Sequence, residues 1–485
     1  SSNHINSTNG GSITIRANNP YDNTPGISSA RSSGTAVITI TGDVVAANGS
    51  YVAGPVDISM ANGANLADST SGTLSLYGVI GKTINVTSSG TSGTGISLNR
   101  TLRAYGVYDS VNAITTTPGT INVSANNGGI TALAGAAVGF AGSEGNTVVL
   151  RARDDITFSA SFVDRQVSNG SNPAGEMQIL AGRSVLVNSE FQGVGSPLTI
   201  KANYFDGTSS VSAARLPGAA AVTMGGPLGA IRNSTNVNIS VMDGVGLSTT
   251  DSSPITSGNI TLKEIPSVVN LTVTNNGLTP GSSVTVGTAG LGITSTVGTP
   301  TSRTGPISGL INISTRNGDI NLLGNIATSN ASAGAITLTA GTATSAPTST
   351  GGDIILTGTR TLTTGAGGSA WLFAGGSGNS TGLSALATSA RTFYNVDPAN
   401  MPSSGVTTGI YAFFRQNTLP LTLTLDNTSM VYGDAYPTLP TFTLTGGSFN
   451  AGDSITSIAW GSAATAFKAQ GTYAYSTANL LAPTF

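Results

Sequence analysis

Short runs of alternating apolar and small or polar residues recur along most of this chain. The four clearest copies share the pattern Gly-x-Ile-x-Ile/Leu and occupy residues 309–313, 318–322, 334–338 and 352–356. A period of two predicts a β-strand with one buried face. The glycine that opens each copy favours a turn, because glycine reaches positive φ without a Cβ clash.

The same alternation continues outside this stretch, at 11–15, 72–76, 119–123 and 258–262, and in looser form at 36–40, 55–58, 147–150, 155–158, 178–180, 185–187 and 198–200. Strands of about five residues joined by turns, with no helical period between them, are typical of a coil whose turns stack on one another. The pattern therefore predicts an all-β fold, a right-handed parallel β-helix (β-solenoid), over residues 1–390.

Two pairs of closely spaced strands indicate how a rung is built. Residues 147–152 and 155–160 are separated by two residues, and so are 176–181 and 184–189. Each pair is predicted to form two faces of one rung that meet at a short corner. With about 20–25 residues per rung and about 4.8 Å between rungs, we expect about 16–19 rungs and a rod roughly 80–90 Å long.

Irregular insertions interrupt the repeat and are expected to leave the stack sideways, at 20–34, 103–118, 164–173, 203–231 and 342–350. The fourth insertion is the longest and has few alternating apolar residues. It is therefore predicted to be a mobile side loop or lid.

The composition changes after residue 390. Aromatic residues gather at 393–394 and 411–414, in a chain that is only 6% aromatic. Large apolar rings at the end of a solenoid predict an aromatic cap and linker over residues 391–420. Residues 421–485 are predicted to form a separate small β-rich domain that lacks its final strand, with strands at 421–425, 441–445, 455–460 and 471–475.

Composition narrows the function classes. Net charge is −2 and only 8% of residues are charged, so there is no basic surface to hold nucleic acid. The chain has no cysteine, which excludes disulfides, thiolate metal sites and cysteine nucleophiles. There is no apolar run long enough to cross a membrane, and a signal peptide, if one exists, is expected upstream of residue 1. A neutral surface of hydroxyls and amides suits contact with sugars or with copies of the chain.

The C-terminal domain resembles the MBG module found in tandem in bacterial surface proteins. The matching residues are 423–427, 431–434, Pro437, 442–444, 451–453 and 471–473. The repeats at 318–322 and 352–356 resemble those of filamentous-haemagglutinin-like exoproteins of two-partner secretion, and the junction 391–400 is similar to the segment that precedes MBG modules in such exoproteins. The resemblance implies an adhesin secreted through an outer-membrane transporter to the cell surface of a Gram-negative bacterium. The secretion domain of that family is not visible in this sequence.

Few residue types could support catalysis. His4 is the only histidine, so the abundant serines have no base for a Ser–His–Asp triad, and metal sites that need His or Cys are excluded. We therefore predict no enzymatic activity, no catalytic residues, no metal site and no cofactor. The one adjacent acidic pair, Asp154 and Asp155, should point to opposite faces of a strand and form a rung corner flanked by Arg151 and Arg153.

Other polar motifs have structural interpretations beside functional ones. Asp319 and Asp353 occupy the same repeat position and are predicted to cap the turn before the strand rather than bind calcium. Asn-x-Ser/Thr motifs, for instance at Asn85, Asn122, Asn238, Asn259, Asn312 and Asn427, are ascribed mostly to chance. Such asparagines are expected to form side-chain ladders along the stack, although some proteins of the resembled family are glycosylated at these motifs.

The most specific motif is Tyr432-Gly433-Asp434, a possible contact motif of the C-terminal module. Its structural interpretation, a turn that fixes the module's first corner, is the favoured one.

Three functions remain open at this stage. The first is an extracellular adhesin whose β-helical stalk attaches the cell to glycans or proteins of a host or a neighbouring cell. The second is a structural subunit that polymerises into an extracellular filament or sheath. The third and least favoured is a carbohydrate-active enzyme whose carboxylates meet across stacked rungs, where sequence spacing does not reveal them.

Overall fold

The structure is a computed structural model, and it describes residues 5–7, 11–18, 35–48, 52–63, 70–90, 95–105, 107–109, 114–133, 137–142, 147–159, 162–164, 175–188, 190–224, 230–287, 308–386, 390–402, 405–417, 422–425 and 442–446. Over these residues the fold is all-β, and its only helix is the short 3₁₀ turn Leu383–Leu386. No helix in this part of the chain is long and apolar enough to span a membrane.

The chain coils through three parallel ladders of strands, which confirms the predicted parallel β-helix. The first ladder is built, in chain order, from Ile13–Ala17, Val56–Met60, Thr83–Ser88, Thr120–Ala125, Thr147–Ala152, Met177–Ala181, the second parts of Glu190–Ala202, Ala230–Val241 and Glu264–Asn275, then Ile311–Thr315, Ile336–Thr339, Ser369–Ala374 and Gly409–Phe414. Each strand pairs with the strand one rung away.

The second ladder follows the first around each rung. Its strands are Thr35–Thr39, Thr70–Leu76, Ile96–Leu98, Ile130–Ala132, Ile156–Phe158, Val185–Val187, Ala220–Met224, Ser257–Leu262, Val284–Val286, Ile320–Leu322 and Ile354–Leu356. The short corners predicted at 153–154 and 182–183 do join a strand of the first ladder to a strand of the second.

The third ladder closes the rung. It consists of Ile5–Asn6, Asp43–Val45, Gly78–Gly81, Leu102–Ala104, Ala137–Gly142, Phe162–Asp164 and the first parts of the three long strands, with Ile326–Ala327 and Leu362–Thr363 paired further along. Outside the ladders lie the antiparallel pairs Ala47–Asn48 with Val52–Ala53 and Val107–Asp109 with Ile114–Thr117, and the parallel pair Ala214–Arg215 with Ser248–Thr249.

Aliphatic columns hold the coil together. The strand register places one inward column of the first ladder at Ile13, Val56, Ile84, Ile121, Val148, Met177, Leu198, Val237, Leu271, Ile311, Ile336, Ala370 and Ile410. All but Ile410 are buried. Burying one such aliphatic side chain contributes about 1.5–3 kcal/mol, so the period-2 pattern is the main source of the fold's stability.

The rungs are longer and fewer than the sequence predicts. Ile13 and Ile410 are 397 residues apart and are separated by twelve steps of the ladder, or about 33 residues per rung. Twelve steps of about 4.8 Å make a stack roughly 58 Å long. The expectation of 16–19 rungs is wrong because each rung carries three strands and its insertions, rather than two closely spaced strands.

The fourth predicted insertion is not a plain side loop. Ala220–Met224, inside the predicted 203–231 insertion, forms a strand of the second ladder between Val185–Val187 and Ser257–Leu262. The side chains of Ala220, Val222 and Met224 are buried. The strand is not apparent from the sequence because two of its five residues are alanines, which weaken the apolar signal.

Asparagines lock two corners of the coil. Asn203 adopts φ 54°, the left-handed conformation that asparagine tolerates better than most residues. Its side-chain Nδ2 donates to the Met242 carbonyl at 3.0 Å and to Ser257 Oγ at 2.9 Å, which ties one rung to the next. Asn18 repeats this arrangement at φ 52° and donates to Ala61 and Ser71.

The ladder runs past residue 390 into the segment predicted to be a cap. Gly409–Phe414 stacks on Ser369–Ala374, and Ala390–Tyr394 pairs with its far side. Aromatic side chains gather here as expected: Phe413 stacks on Phe373 with 4.7 Å between ring centroids and on Phe393 with 5.3 Å. They form a second apolar core outside the coil, together with Val396, Val406 and Tyr411.

Part of the C-terminal module is described. Thr422–Leu425 pairs antiparallel with Phe442–Gly446, close to the strands predicted at 421–425 and 441–445. The strands predicted at 455–460 and 471–475 lie outside the described residues.

Candidate functional site

The motif Tyr432-Gly433-Asp434 lies outside the described residues, so its contact role and its turn role both stay predictions.

The acidic pair lies at a rung corner, and its two carboxylates have separate structural partners. Asp154 is buried and forms an ion pair with Arg153, with 2.6 Å between Arg153 Nη2 and Asp154 Oδ2. Its Oδ1 also accepts a hydrogen bond from the Leu216 backbone N–H at 2.8 Å. Asp154 therefore anchors the loop that follows residue 203, which is held against the coil in this region.

Asp155 faces the next rung. It forms an ion pair with Arg183, and its Oδ1 accepts the Ser184 N–H at 3.0 Å. The hydrogen bond that Arg183 donates to the Asp155 carboxylate raises the pKa of Arg183. Arg153 flanks the pair as predicted, whereas Arg151 interacts with Asp206 at 3.4 Å. These contacts support the structural interpretation of the acidic pair.

A buried arginine completes this corner. Arg215 is fully buried and donates from Nη1 to the carbonyls of Leu216 and Gly218 and from Nη2 to the Thr256 carbonyl. Burial lowers the pKa of Arg215, and the nearby Arg183 lowers it further. Arg215 donates these hydrogen bonds to backbone carbonyls and thereby connects two loops. The cleft beside Arg151, Tyr204 and Asp206 is only about 10 Å³, room for about one water molecule.

A larger groove lies where the first ladder turns into the second. It has a volume of about 560 Å³, within the usual range of ligand sites. Four consecutive rungs supply its lining, through residues 278, 280–281, 317–319, 349–353 and 379.

Two aligned carboxylates lie in this groove. Asp319 Oδ1 accepts the Asp353 backbone N–H at 2.8 Å. Asp353 Oδ1 in turn accepts the Gly376 N–H at 2.8 Å and the Ser380 hydroxyl at 3.0 Å. Each carboxylate therefore caps the corner of the neighbouring rung, whereas the predicted partner is the turn before its own strand. In the part of the chain that the structure describes, the Oδ2 atom of each carboxylate has no hydrogen bond with the protein.

The remaining lining is uncharged. Asn317 is partly exposed and donates to the Leu278 carbonyl at 3.3 Å, and Asn379 is exposed at the opposite side. Leu278 is 51% exposed and, with the exposed Pro280, gives the groove an apolar edge. Among the described residues, no cation lines the groove and no group of three potential metal ligands occurs.

The predicted 342–350 insertion forms one wall. Arg415 is buried behind it and donates to the carbonyls of Ala340, Thr350 and Gly352. Burial lowers the pKa of Arg415. On the other side, Asp397 Oδ2 accepts the Ala346 N–H at 2.9 Å. This bond is the main reason that the pKa of Asp397 lies below its ordinary value.

Two glycines let the corners pack this closely. Gly352 has φ 144°, and a Cβ atom there would lie 2.2 Å from the Gly318 carbonyl oxygen. A Cβ on Gly318 would lie 2.1 Å from the Ser282 carbonyl oxygen. Both glycines belong to the repeat that the sequence reveals, so the pattern that sets the turn also sets the floor of the groove.

The asparagine ladders predicted from the sequence are present. Asn122 Nδ2 donates to Asn85 Oδ1 at 3.1 Å, and Asn85 Nδ2 donates to Asp57 Oδ1 at 2.8 Å. Asn85, Asn122, Asn238 and Asn312 share one outward register position. The Asn-x-Ser/Thr motif thus follows from strand alternation, with Asn outward, Val or Ile inward and Ser or Thr outward. Asn427 lies outside the described residues.

Comparison with protein families identifies the C-terminal segment. Residues 421–484 match the family described as MBG domain (YGX type), which confirms the predicted module. MBG domains occur in surface and extracellular adhesin-like proteins. Comparison with curated proteins and with solved structures gave no match.

Proposed function

We propose that this chain is part of an extracellular adhesin of a Gram-negative bacterium, secreted by the two-partner route through an outer-membrane transporter. In this proposal the β-helix is a stalk, its outer surface and corner loops contact host or neighbouring cells, and the chain catalyses no reaction. The observation that supports it best is the unbroken parallel ladder from Ile13 to Phe414. Such a ladder is a stiff rod, because each rung is hydrogen-bonded to its neighbours.

Two further features agree with this proposal. Outward positions of the first ladder are mostly amides and hydroxyls, as at Asn85, Asn122, Thr272 and Asn312. Such a surface makes many weak directional contacts without a charge requirement. The MBG domain at 421–484 adds a module of a type that occurs in surface proteins.

Attachment of coated beads tests the proposal. Beads that carry the purified chain should bind to epithelial cells or to bacterial cells more than beads coated with albumin. Retention of beads at the albumin level on every surface would contradict the adhesin assignment.

Electron microscopy of the same preparation separates the adhesin from the filament alternative. Isolated rods at micromolar and submicromolar concentration fit a stalk. Regular fibres with an axial repeat near one chain length would instead make assembly the function to explain.

A further inference from the structure

We propose that the corner groove binds a neutral oligosaccharide. Neutral oligosaccharides would then be the ligand class that the proposed adhesin recognises, so this inference rests on the function proposed above. The groove is defined by its lining from four successive rungs, at residues 278, 280–281, 317–319, 349–353 and 379. Four rungs span three steps of about 4.8 Å, so the groove extends roughly 14 Å along the stack. An elongated recess of this kind fits a short chain of sugar rings better than a single compact metabolite.

The two carboxylates are rigid hydrogen-bond acceptors. The Oδ1 atoms of Asp319 and Asp353 are already fixed by the backbone N–H groups of Asp353 and Gly376. Each Oδ2 is held in place by these bonds and remains open to a ligand hydroxyl. Acceptors that are held before binding lose little conformational entropy on binding, and hydrogen bonds to a carboxylate are stronger than neutral ones.

The rest of the lining fits the same ligand. Asn379 is exposed and offers both an amide donor and a carbonyl acceptor, which matches the donor and acceptor character of a hydroxyl. Leu278 and Pro280 form an exposed apolar edge where the C–H face of a sugar ring can pack. A few convergent polar groups beside an apolar edge are the usual composition of a small-molecule site.

Charge selects against acidic sugars. The charged side chains that line the groove are Asp319 and Asp353, and the buried Arg415 donates from both Nη atoms to the carbonyls of Ala340, Thr350 and Gly352. A uronic acid or a sialylated ligand would therefore meet two like charges without a compensating cation. Neutral sugars avoid this repulsion, and their binding should depend little on salt.

Calorimetry with the full chain tests the proposal. The probes are neutral homo-oligosaccharides of glucose, mannose, galactose and N-acetylglucosamine, each beside a uronic acid oligomer of matched length. We expect at least one neutral oligomer to bind and the uronic acid oligomers to bind more weakly. The absence of binding by every neutral oligomer at millimolar concentration, or equal binding of acidic oligomers, would overturn the proposal.

Three variants locate the site. Asp319→Asn keeps the acceptor for the Asp353 N–H but removes the charge, and should weaken binding about tenfold. Asn379→Arg places a long side chain at the mouth and should abolish binding. Thr407→Arg introduces the same arginine side chain at an exposed position outside the groove, and this variant should bind the sugar like the unmodified chain. Unchanged affinity in both groove variants would show that the sugar binds elsewhere and would overturn the proposal.

The bead assay distinguishes the two proposals. If Asn379→Arg loses sugar binding and bead attachment together, both proposals hold. If beads coated with this variant still attach, the adhesin proposal holds and the groove is not the surface that mediates attachment. Sugar binding by a chain whose beads do not attach supports the groove and contradicts the adhesin.

Discussion

Asn203 shows how one side chain can couple two rungs. It combines a left-handed corner, at φ 54°, with hydrogen bonds to Met242 and Ser257 of the next rung. Glycine would keep the backbone conformation and lose only the side-chain bonds, whereas alanine would also add backbone strain of roughly 1–2 kcal/mol. The two substitutions therefore separate the two roles of the residue.

We predict that Asn203→Gly weakens the local structure by about 1–2 kcal/mol and that Asn203→Ala weakens it more. Hydrogen exchange of the amides in 198–202 and 237–241 should become roughly 5–30 times faster in the glycine variant. Asn238→Ala, a change at an exposed outward position, is the matched control and should leave exchange unchanged. Equal exchange in the alanine and glycine variants would show that the left-handed corner is not strained.

At the scale of the element, a buried carboxylate connects the 342–350 insertion to the C-terminal segment. Asp397 accepts the N–H groups of Ala346, Ala399 and Asn400 and also lies close enough to Arg415 to favour ionisation. These bonds are strongest to the ionised carboxylate. The insertion that forms one wall of the groove is thus attached to the C-terminal segment by a charge-assisted contact.

We predict that this attachment fails in acid. The pKa of Asp397 in the folded protein lies below its ordinary value of 3.8, so the contact is complete above about pH 4 and is lost as the pH falls through the folded pKa. Hydrogen exchange of a peptide covering 342–350 should accelerate in that window, after correction for the intrinsic pH dependence of exchange. In the Asp397→Asn variant this peptide should exchange faster already at pH 7, because the free energy that holds the insertion in place falls by about 1–3 kcal/mol. Its exchange should then show no further acceleration in acid.

The control for this experiment is Asp251→Asn, since Asp251 lies on an exposed loop away from the insertion. It should leave the exchange of the 342–350 peptide unaltered at every pH. An acid transition that persists in Asp397→Asn would assign the attachment to another group.

The sequence predicts the elements well where the period-2 pattern is strong. Ile121 and Val123, for example, are assigned to a strand from local alternation alone, and both are buried in that strand. The sequence does not show which strands share a ladder, because Ile121 pairs with Ile84 and Val148, 37 and 27 residues away. The error in rung length follows from this non-local pairing, whereas the strand Ala220–Met224 is not apparent from the sequence because its alanines weaken the apolar signal.

The groove could be predicted only in part. The sequence places Asp319 and Asp353 at the same repeat position, and the 342–350 insertion is apparent from composition. The recess itself depends on corners about 40 residues apart, such as Leu278 and Asn317, being brought together. These corners are close together only because of the register in which the strands pair, and that register cannot be read from a single sequence.

At the scale of the whole molecule, the two ends of the ladder differ. Among the described strands, Ile13–Ala17 pairs in the first ladder only with Val56–Met60, and its Ile15 and Ala17 are partly exposed. The other end carries the additional strand Ala390–Tyr394 and the aromatic cluster around Phe413. A solenoid is stabilised by contacts between neighbouring rungs, so an end rung with one neighbour is weaker than an inner rung.

We predict a gradient of stability along the rod. Amides of 13–17 should exchange at least about tenfold faster than those of 177–181 and 237–241, and the amides of 409–414 should resemble the inner rungs. Mass spectrometry of peptides from the intact chain measures all of these regions in one experiment. Uniform exchange from one end to the other would contradict nearest-neighbour stabilisation.

The unequal spacing of the rungs has a consequence for how such a molecule can change over generations. Met177 and Leu198 are adjacent in the first ladder after 21 residues, whereas Ile13 and Val56 are adjacent after 43. The stack rises by the same distance in both cases, because only the paired strands determine the rise. Segments can therefore be lengthened, shortened or exchanged at the corners without altering the reach of the rod. The surface that the rod displays can therefore change while the ladders that form its framework stay the same.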